Sequence, residues 1–276
     1  ISYQHAYSDR LKASSRPSLY NDDFTAFGGP PSSTQASPGN IVANGVSYAI
    51  PTGQNGTTLT LAQLGAAGSV NRTNVWTGYD AIPEMNRDQV AANFRQDIAD
   101  GLQIYADGFY TNRDLDIALY NAASNNRVTL TIPNSNFYSP CNRSLAGAPA
   151  ALVAACGTGA LTVNYNTIND TGPGKRTGYT RTWDATIGAT VSLFGDWKGN
   201  VYGSFGKNKA RNVNTLYFGN GLPFLASALG GTTASTAFNP FCDGTNQDCG
   251  NRAFTSAIFA GMSLTTITTY DNRVVA

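Results

Sequence analysis

Charged residues are scarce in this chain of 276 residues, at 13% of positions, against about 25% in an ordinary soluble domain. Neither sign dominates: 18 Lys and Arg face 17 Asp and Glu, leaving a formal net charge of +1. A nucleic-acid-binding surface calls for a clustered basic excess, and this balance argues against one. Histidine occurs once, as His5, and methionine only twice. One His, scattered Ser and Asp, and no Gly-x-Ser-x-Gly element give no catalytic triad. We therefore expect neither an enzyme nor a cofactor. Long apolar runs are missing too, so no transmembrane helix of about 20 residues is present. A membrane-spanning β-barrel survives that exclusion, because its strands alternate over about 10 residues and give no hydropathy peak.

What is present suits β-structure: 29 Gly, 14 Tyr, 13 Phe and many Thr and Asn. From Tyr179 to Leu193 the odd positions read Tyr, Arg, Trp, Ala, Ile, Ala, Val, Leu, while the even ones are Thr180, Thr182, Asp184, Thr186, Gly188, Thr190 and Ser192. That period of two marks a strand with one apolar and one polar face. Phe194-Gly195-Asp196 turns the chain, and a second strand alternates from Trp197 to Phe205. The unit also occurs earlier. Asn86 to Ile98 sets Val90, Ala92, Phe94 and Ile98 against Arg87, Gln89, Asn93, Arg95 and Asp97. An Asp100-Gly101 hairpin signal follows. The returning strand sets Leu102, Ile104, Ala106, Gly108 and Tyr110 against Gln103, Tyr105, Asp107, Thr111 and Arg113. Ile1 to Asp9 and Leu264 to Ala276 read as further strands. Both ends of the chain fall inside such patterns, so we expect an internal piece of a longer protein, 1–276 forming part of one domain.

The hairpin turns are tiny, but the connections at the opposite strand ends are long: Arg10 to Pro83, Leu119 to Gly174 and Val213 to Gly261. Short turns on one side and long loops on the other are the asymmetry of an outer-membrane barrel, with apolar strand faces toward lipid and polar faces toward the lumen. A secreted two-layer β protein, its apolar faces meeting in a core, also accounts for the alternation, but rarely for this asymmetry. On the barrel reading Arg87, Arg95, Asp97, Asp107, Arg113 and Asp184 face the lumen. Trp183, Trp197, Tyr110 and Tyr179 near strand ends suit interfacial girdles.

The four cysteines, Cys141, Cys156, Cys242 and Cys249, match no zinc spacing. They allow three pairings. Joining sequence neighbours closes two short polar loops and implies an oxidising compartment; four free thiols remain the alternative. Asp243-Gly244-Thr245-Asn246-Gln247-Asp248 has oxygen ligands in near alternation, yet its offsets do not fit an EF-hand, and we expect a disulfide-closed loop tip without a metal. Gly172-Pro173-Gly174-Lys175-Arg176-Thr177 lacks the spacing of a phosphate loop and reads as a turn. The loops hold exposed-looking aromatic residues, of which Trp76, Tyr79, Phe137, Tyr138, Phe218 and Phe224 are candidate ligand contacts, flat rings suiting sugars or the apolar parts of a chelate.

Several segments resemble TonB-dependent outer-membrane receptors. They are Gly39-Asn40-Ile41 with Tyr48-Ala49-Ile50-Pro51-Thr52-Gly53-Gln54-Asn55-Gly56; Ile82-Pro83-Glu84-Met85-Asn86-Arg87-Asp88 before Leu102-Gln103-Ile104-Tyr105-Ala106-Asp107-Gly108; and Ile132-Pro133-Asn134-Ser135-Asn136-Phe137-Tyr138. Asn169-Asp170-Thr171-Gly172-Pro173, with Gly195-Asp196-Trp197 further on, and Asn239-Pro240-Phe241-Cys242-Asp243-Gly244-Thr245-Asn246 complete the series, Cys242 standing where the family usually has Gly. Their order along the chain is the specific part. The resemblance implies about six antiparallel strands of a 22-stranded transmembrane barrel, with short periplasmic turns and long extracellular loops. It implies a place in the outer membrane of a Gram-negative bacterium, in a receptor that uses TonB-derived energy to take up a scarce ligand. Iron chelates (siderophores) are the commonest such ligand, saccharides another. The implied partners are outer-membrane lipid, a plug domain, TonB and that small molecule; nothing here matches the plug or its energy-coupling box. A surface-exposed structural or adhesive β protein is the alternative.

Overall fold

A computed structural model describes residues 1–118, 126–215, 222–252, 254 and 263–275. Among them the strands are β1 (Ser2–Ser8), β2 (Leu11–Lys12), β3 (Asn40–Ala43), β4 (Val46–Ala49), β5 (Asp80–Ile82), β6 (Glu84–Ala99), β7 (Leu102–Ala118), β8 (Arg127–Pro133), β9 (Ala160–Asn166), β10 (Lys175–Ser192), β11 (Lys198–Thr215) and β12 (Ser263–Val275). The helices α1 (Ala150–Gly157), α2 (Ile168–Thr171) and α3 (Leu222–Leu229) are short.

The long strands make one antiparallel six-stranded sheet in the order β1-β6-β7-β10-β11-β12. Each expected strand is present, and β10 starts four residues earlier than the alternation alone suggests. The sheet is open among the described residues, and no closed barrel is formed. Register is set at the turns. Asp100 and Gly101 (φ 74°) close β6 onto β7, but Ile98 has no partner: Ala99 faces Leu102, while Asp97 faces Gln103. This one-residue bulge shifts the ladder so that Val90 lies opposite Tyr110 and Phe94 opposite Ala106. Tyr110 then meets Trp183, Ala106 meets Ile187, and Ala185 meets Phe205. The apolar positions of four strands thereby share one face. The polar positions share the other.

The three long connections do not behave as separate loops. Parts of the first two build a second sheet, β4-β3-β9-β8, on which Ile41 faces Val163, Val163 faces Leu130, and Leu161 faces Ile132. β9 alternates as a half-buried strand should, with Leu161, Val163 and Tyr165 buried. Leu59 and Leu61 from the first connection, Leu152 of α1 from the second, and Phe238 and Phe241 from the third close over it in a single core. Tyr165 and Phe238 meet edge to face, 6.0 Å between centroids. Burying each such side chain contributes about 1.5–3 kcal/mol. A head can therefore form where irregular loops were expected.

Buried polar groups finish the head. The Asn40 side chain donates to the carbonyls of Thr34 and Asn71 and accepts from the Asn71 amide. Asn136 donates to Leu229 and Phe238, tying the second connection to the third. Arg143 gives its guanidinium to the carbonyls of Leu59, Thr57 and Tyr138, and burial lowers its pKa. The cysteines pair as sequence neighbours, Cys141 with Cys156 and Cys242 with Cys249, with Cα atoms 5.6 and 5.7 Å apart.

Because one core holds all three connections, Phe238→Ala should cost about 3–5 kcal/mol and loosen β3 and β9, which lie far from residue 238 in sequence. Hydrogen exchange checks this: amides of β3 and β9 lose protection together, while those of the β10–β11 hairpin keep theirs. Loss confined to residues near 238 would show that the connections fold independently.

Candidate functional site

The candidate site has three parts: the two faces of the large sheet and the head above one end of it. The polar face carries the six residues expected in a lumen. Arg87 lies opposite Arg113, Arg95 opposite Tyr105, and Asp97 opposite Gln103, whose Nε2 donates to Asp97 Oδ1 at 2.9 Å. Asp107 faces Asn93 on one side and Thr186 on the other; Asp184 faces Phe109 and Gly206. All six therefore share one face, with cross-strand hydrogen bonds such as Thr186 to Ser204 and Asn208 to Thr182. Tyr105 reaches across β10 to Asn200 Oδ1 at 3.1 Å. It can do so because Gly188 lies under its ring; a Cβ there would come within 2.5 Å of Tyr105.

The opposite face is an apolar band. It spans residues 90–98 on β6, 102–110 on β7, 183–193 on β10 and its turn, and 197–205 before and along β11. Large side chains in it stand open: Ile187 is 70% exposed, Val201 61% and Phe94 52%. Gln96 interrupts it. At the head-side border aromatic residues gather: Tyr110 pairs with Trp183, whose ring lies 4.8 Å from that of Phe205. At the turn-side border Phe194 and Trp197 approach to 6.4 Å. Beyond the head-side border the same face becomes polar, with Asp88, Asn86 and Glu84 on β6 and Arg181 and Tyr179 on β10.

Sheet and head are joined at a charged knot. Arg10, just after β1, reaches Glu84 Oε2 at 2.7 Å and Asp116 Oδ2 at 3.4 Å. Lys12 Nζ meets the buried Asp80 carboxylate at 2.7 Å, and Asp80 Oδ2 accepts the amide of Ala118 at 2.7 Å. The first connection is thereby pinned to the ends of β6 and β7. Nothing in the sequence pattern marked Asp80 or Arg10.

The loop aromatics need correction. Tyr79 is 3% exposed and its hydroxyl donates to Asn126 Oδ1 at 2.8 Å. Tyr138 is 7% exposed and packs in the head core. Both rings support the head from within and present no surface to a ligand. Trp76 is half-buried, edge-on to Tyr20 at 5.3 Å, and Phe137 is exposed beside Tyr138. Phe218 lies outside the described residues, as does the Phe224 side chain. Alternation could not separate buried from exposed rings here, because Tyr79 and Tyr138 lie outside the strands of the connections, where there is no period to read.

The 242–249 loop turns the fully buried Asp243 carboxylate inward. Asp243 Oδ2 accepts from the Gly53 amide and from Asn246, and Oδ1 accepts from the Thr245 amide and hydroxyl. No metal-holding cluster of His, Cys, Asp or Glu occurs among the described residues. Among them, too, no helix is long and apolar enough to cross a membrane.

One titratable group stands out. Asp170 is buried in the head, accepting from Tyr165 Oη at 2.8 Å and Asn251 Nδ2 at 3.1 Å, with Arg252 and Asp248 nearby. Burial outweighs the two hydrogen bonds and pushes its carboxyl up to about 6. Burial also raises the Tyr165 hydroxyl, with the Asp170 charge adding to it. The sequence offered no hint of this pair beyond an Asn-Asp-Thr-Gly turn.

No family model, no curated protein and no solved structure matches the chain.

A carboxyl that holds its proton more tightly folded than unfolded stabilises the fold fully below about pH 4. That contribution fades as pH rises toward 6 and is gone above it, a swing of about 3 kcal/mol for a shift from 3.8 to about 6. Asp170→Asn removes the swing while still accepting from one donor. The stability of the wild-type head relative to this variant should accordingly fall between pH 4 and pH 7, as measured by denaturant melts across that range. A pH-independent difference would place the Asp170 pKa near its ordinary value.

Proposed function

We propose that the chain is a segment of a transmembrane β-barrel in the outer membrane of a Gram-negative bacterium, belonging to a receptor of the TonB-dependent kind that takes up a small, scarce molecule. The observation that carries this reading is the apolar band. Its height of nine to eleven residues per strand is the length a tilted strand needs to cross a hydrocarbon layer. It runs over four neighbouring strands, its side chains stand exposed, and aromatic residues mark both borders. Soluble monomers rarely expose an apolar patch of that extent, which marks a membrane or protein contact. The polar face, the short turns at one edge and the folded head at the other fit the same orientation, with the head outside the cell. The six strands here would be part of a 22-stranded wall, so the edges offered by β1 and β12 pair with neighbours in the whole barrel. The order of the family-like segments supports uptake driven through TonB and a plug domain. An iron chelate is the leading ligand class, and a saccharide the next.

A secreted β protein would bury the band against another layer instead. The two readings separate on what touches Ile187. In lipid vesicles, a tryptophan placed by Ile187→Trp should be strongly quenched by lipids brominated in the acyl chain, and one placed by Thr186→Trp on the opposite face only weakly. Backgrounds from the three native Trp are subtracted using the unmodified chain. Equal quenching at the two neighbours, or none at either, rejects the lipid-facing band.

A further inference from the structure

We propose that Arg87 and Arg113 form an oxyanion site on the polar face, taking a carboxylate or phosphate group of the small molecule that enters from the head side. The proposal rests on the reading of that face as a lumen. The two arginines are register partners on β6 and β7, which puts their Cβ atoms about 4.5–5.5 Å apart on one face. Like charges set directly opposite each other destabilise a sheet. Here nothing offsets them: among the described residues neither guanidinium has a hydrogen-bond or ion-pair partner.

The surrounding ladder positions are neutral. Ala6 of β1 faces Arg87 and Thr180 of β10 faces Arg113. Gln89 and Thr111 pair two residues toward the turn, Met85 and Leu115 two residues toward the head. The nearest carboxylates on this face, Asp184 and Asp107, lie four and six residues further along, about 13 and 20 Å at 3.3 Å per residue. Two other basic residues at this end of the sheet are engaged: Arg10 by Glu84 and Asp116, and Arg176 through Nε to Asn214 Oδ1 at 2.6 Å.

Two unengaged guanidiniums side by side offer two planar forks of N–H donors, which match the paired oxygens of a carboxylate or phosphate. An anion between them turns repulsion into two attractions. Asp107 and Asp184, diagonal neighbours deeper on the same face, repel an anion that moves further in. The anion is therefore held at the arginine level, on the head side, where a molecule arriving from outside first meets the strands.

The test titrates the chain in detergent at low salt, where screening is weak, with inorganic phosphate and with citrate. Both should bind and raise its thermal midpoint. Arg87→Gln and Arg113→Gln should each weaken binding about tenfold, the loss expected for one charge-assisted contact. Arg95→Gln, on the same face but opposite Tyr105, should bind as the wild type does. Without anion, each of the first two variants should melt higher than wild type, because the repulsion is gone; a merely structural arginine would melt lower when removed. Undiminished binding by the Arg87→Gln/Arg113→Gln double variant, no binding by the wild type, or lower anion-free midpoints would overturn the proposal. Lipid quenching at residue 187 together with any of those results would overturn this site alone, whereas absent quenching removes the lumen reading beneath it.

Discussion

A single unpaired residue governs the large sheet. A two-residue turn at Asp100-Gly101 with no bulge would pair Val90 with Thr111 and Phe94 with Asp107, because side chains alternate and a slip of one residue turns a whole strand over. Charge and apolar surface would then be mixed on both faces. The bulge at Ile98 restores the parity, and Val90 meets Tyr110 instead. The bulge thereby brings β6 onto the face that β7, β10 and β11 already share through their own registers. The place of Val90, Ala92 and Phe94 in the band, and of Arg87, Arg95 and Asp97 on the polar face, follows from one correctly placed extra residue.

The head solves a different problem. Long polar connections cannot bury backbone without supplying partners for it. Here asparagines and one arginine supply them: Asn40, Asn71, Asn136 and Arg143 together cap carbonyls and amides drawn from all three connections. A small core can then close, with two disulfides holding its loops. The knot of Arg10, Lys12, Asp80, Glu84 and Asp116 fastens that unit to the ends of β6 and β7. The head is thus fastened to the two strands that carry Arg87 and Arg113.

The polar face is where architecture and chemistry meet. Its middle is hydrogen-bonded and nearly self-sufficient, through Thr186 with Ser204, Asn208 with Thr182, and Tyr105 laid over Gly188 to Asn200. Its head-side end is not, because Arg87 and Arg113 are left facing each other. Paired groups hold the sheet together there, and the unpaired arginines leave their donors unused.

Strands, hairpins and the sharing of faces were legible in the residues, because alternation with a period of two is a local property that each strand carries by itself. That Arg87, Arg95, Asp97, Asp107, Arg113 and Asp184 share one face is legible from that pattern, and the cysteine pairing is one of three that the spacing allows. Tyr79 and Tyr138 were misplaced for the opposite reason. In a connection without a period, whether a ring is buried depends on segments that return from elsewhere in the chain, as Asn126 and the third connection do here. Asp170 is illegible likewise: its raised pKa comes from burial in a head to which residues as distant as Asn251, 81 positions along, contribute. The sequence by itself determined which side chains share a strand face, since that follows from covalent alternation. Only the tertiary structure decided which faces align, which loops fuse into one head, and which charges find partners, since those depend on the register and packing of distant segments.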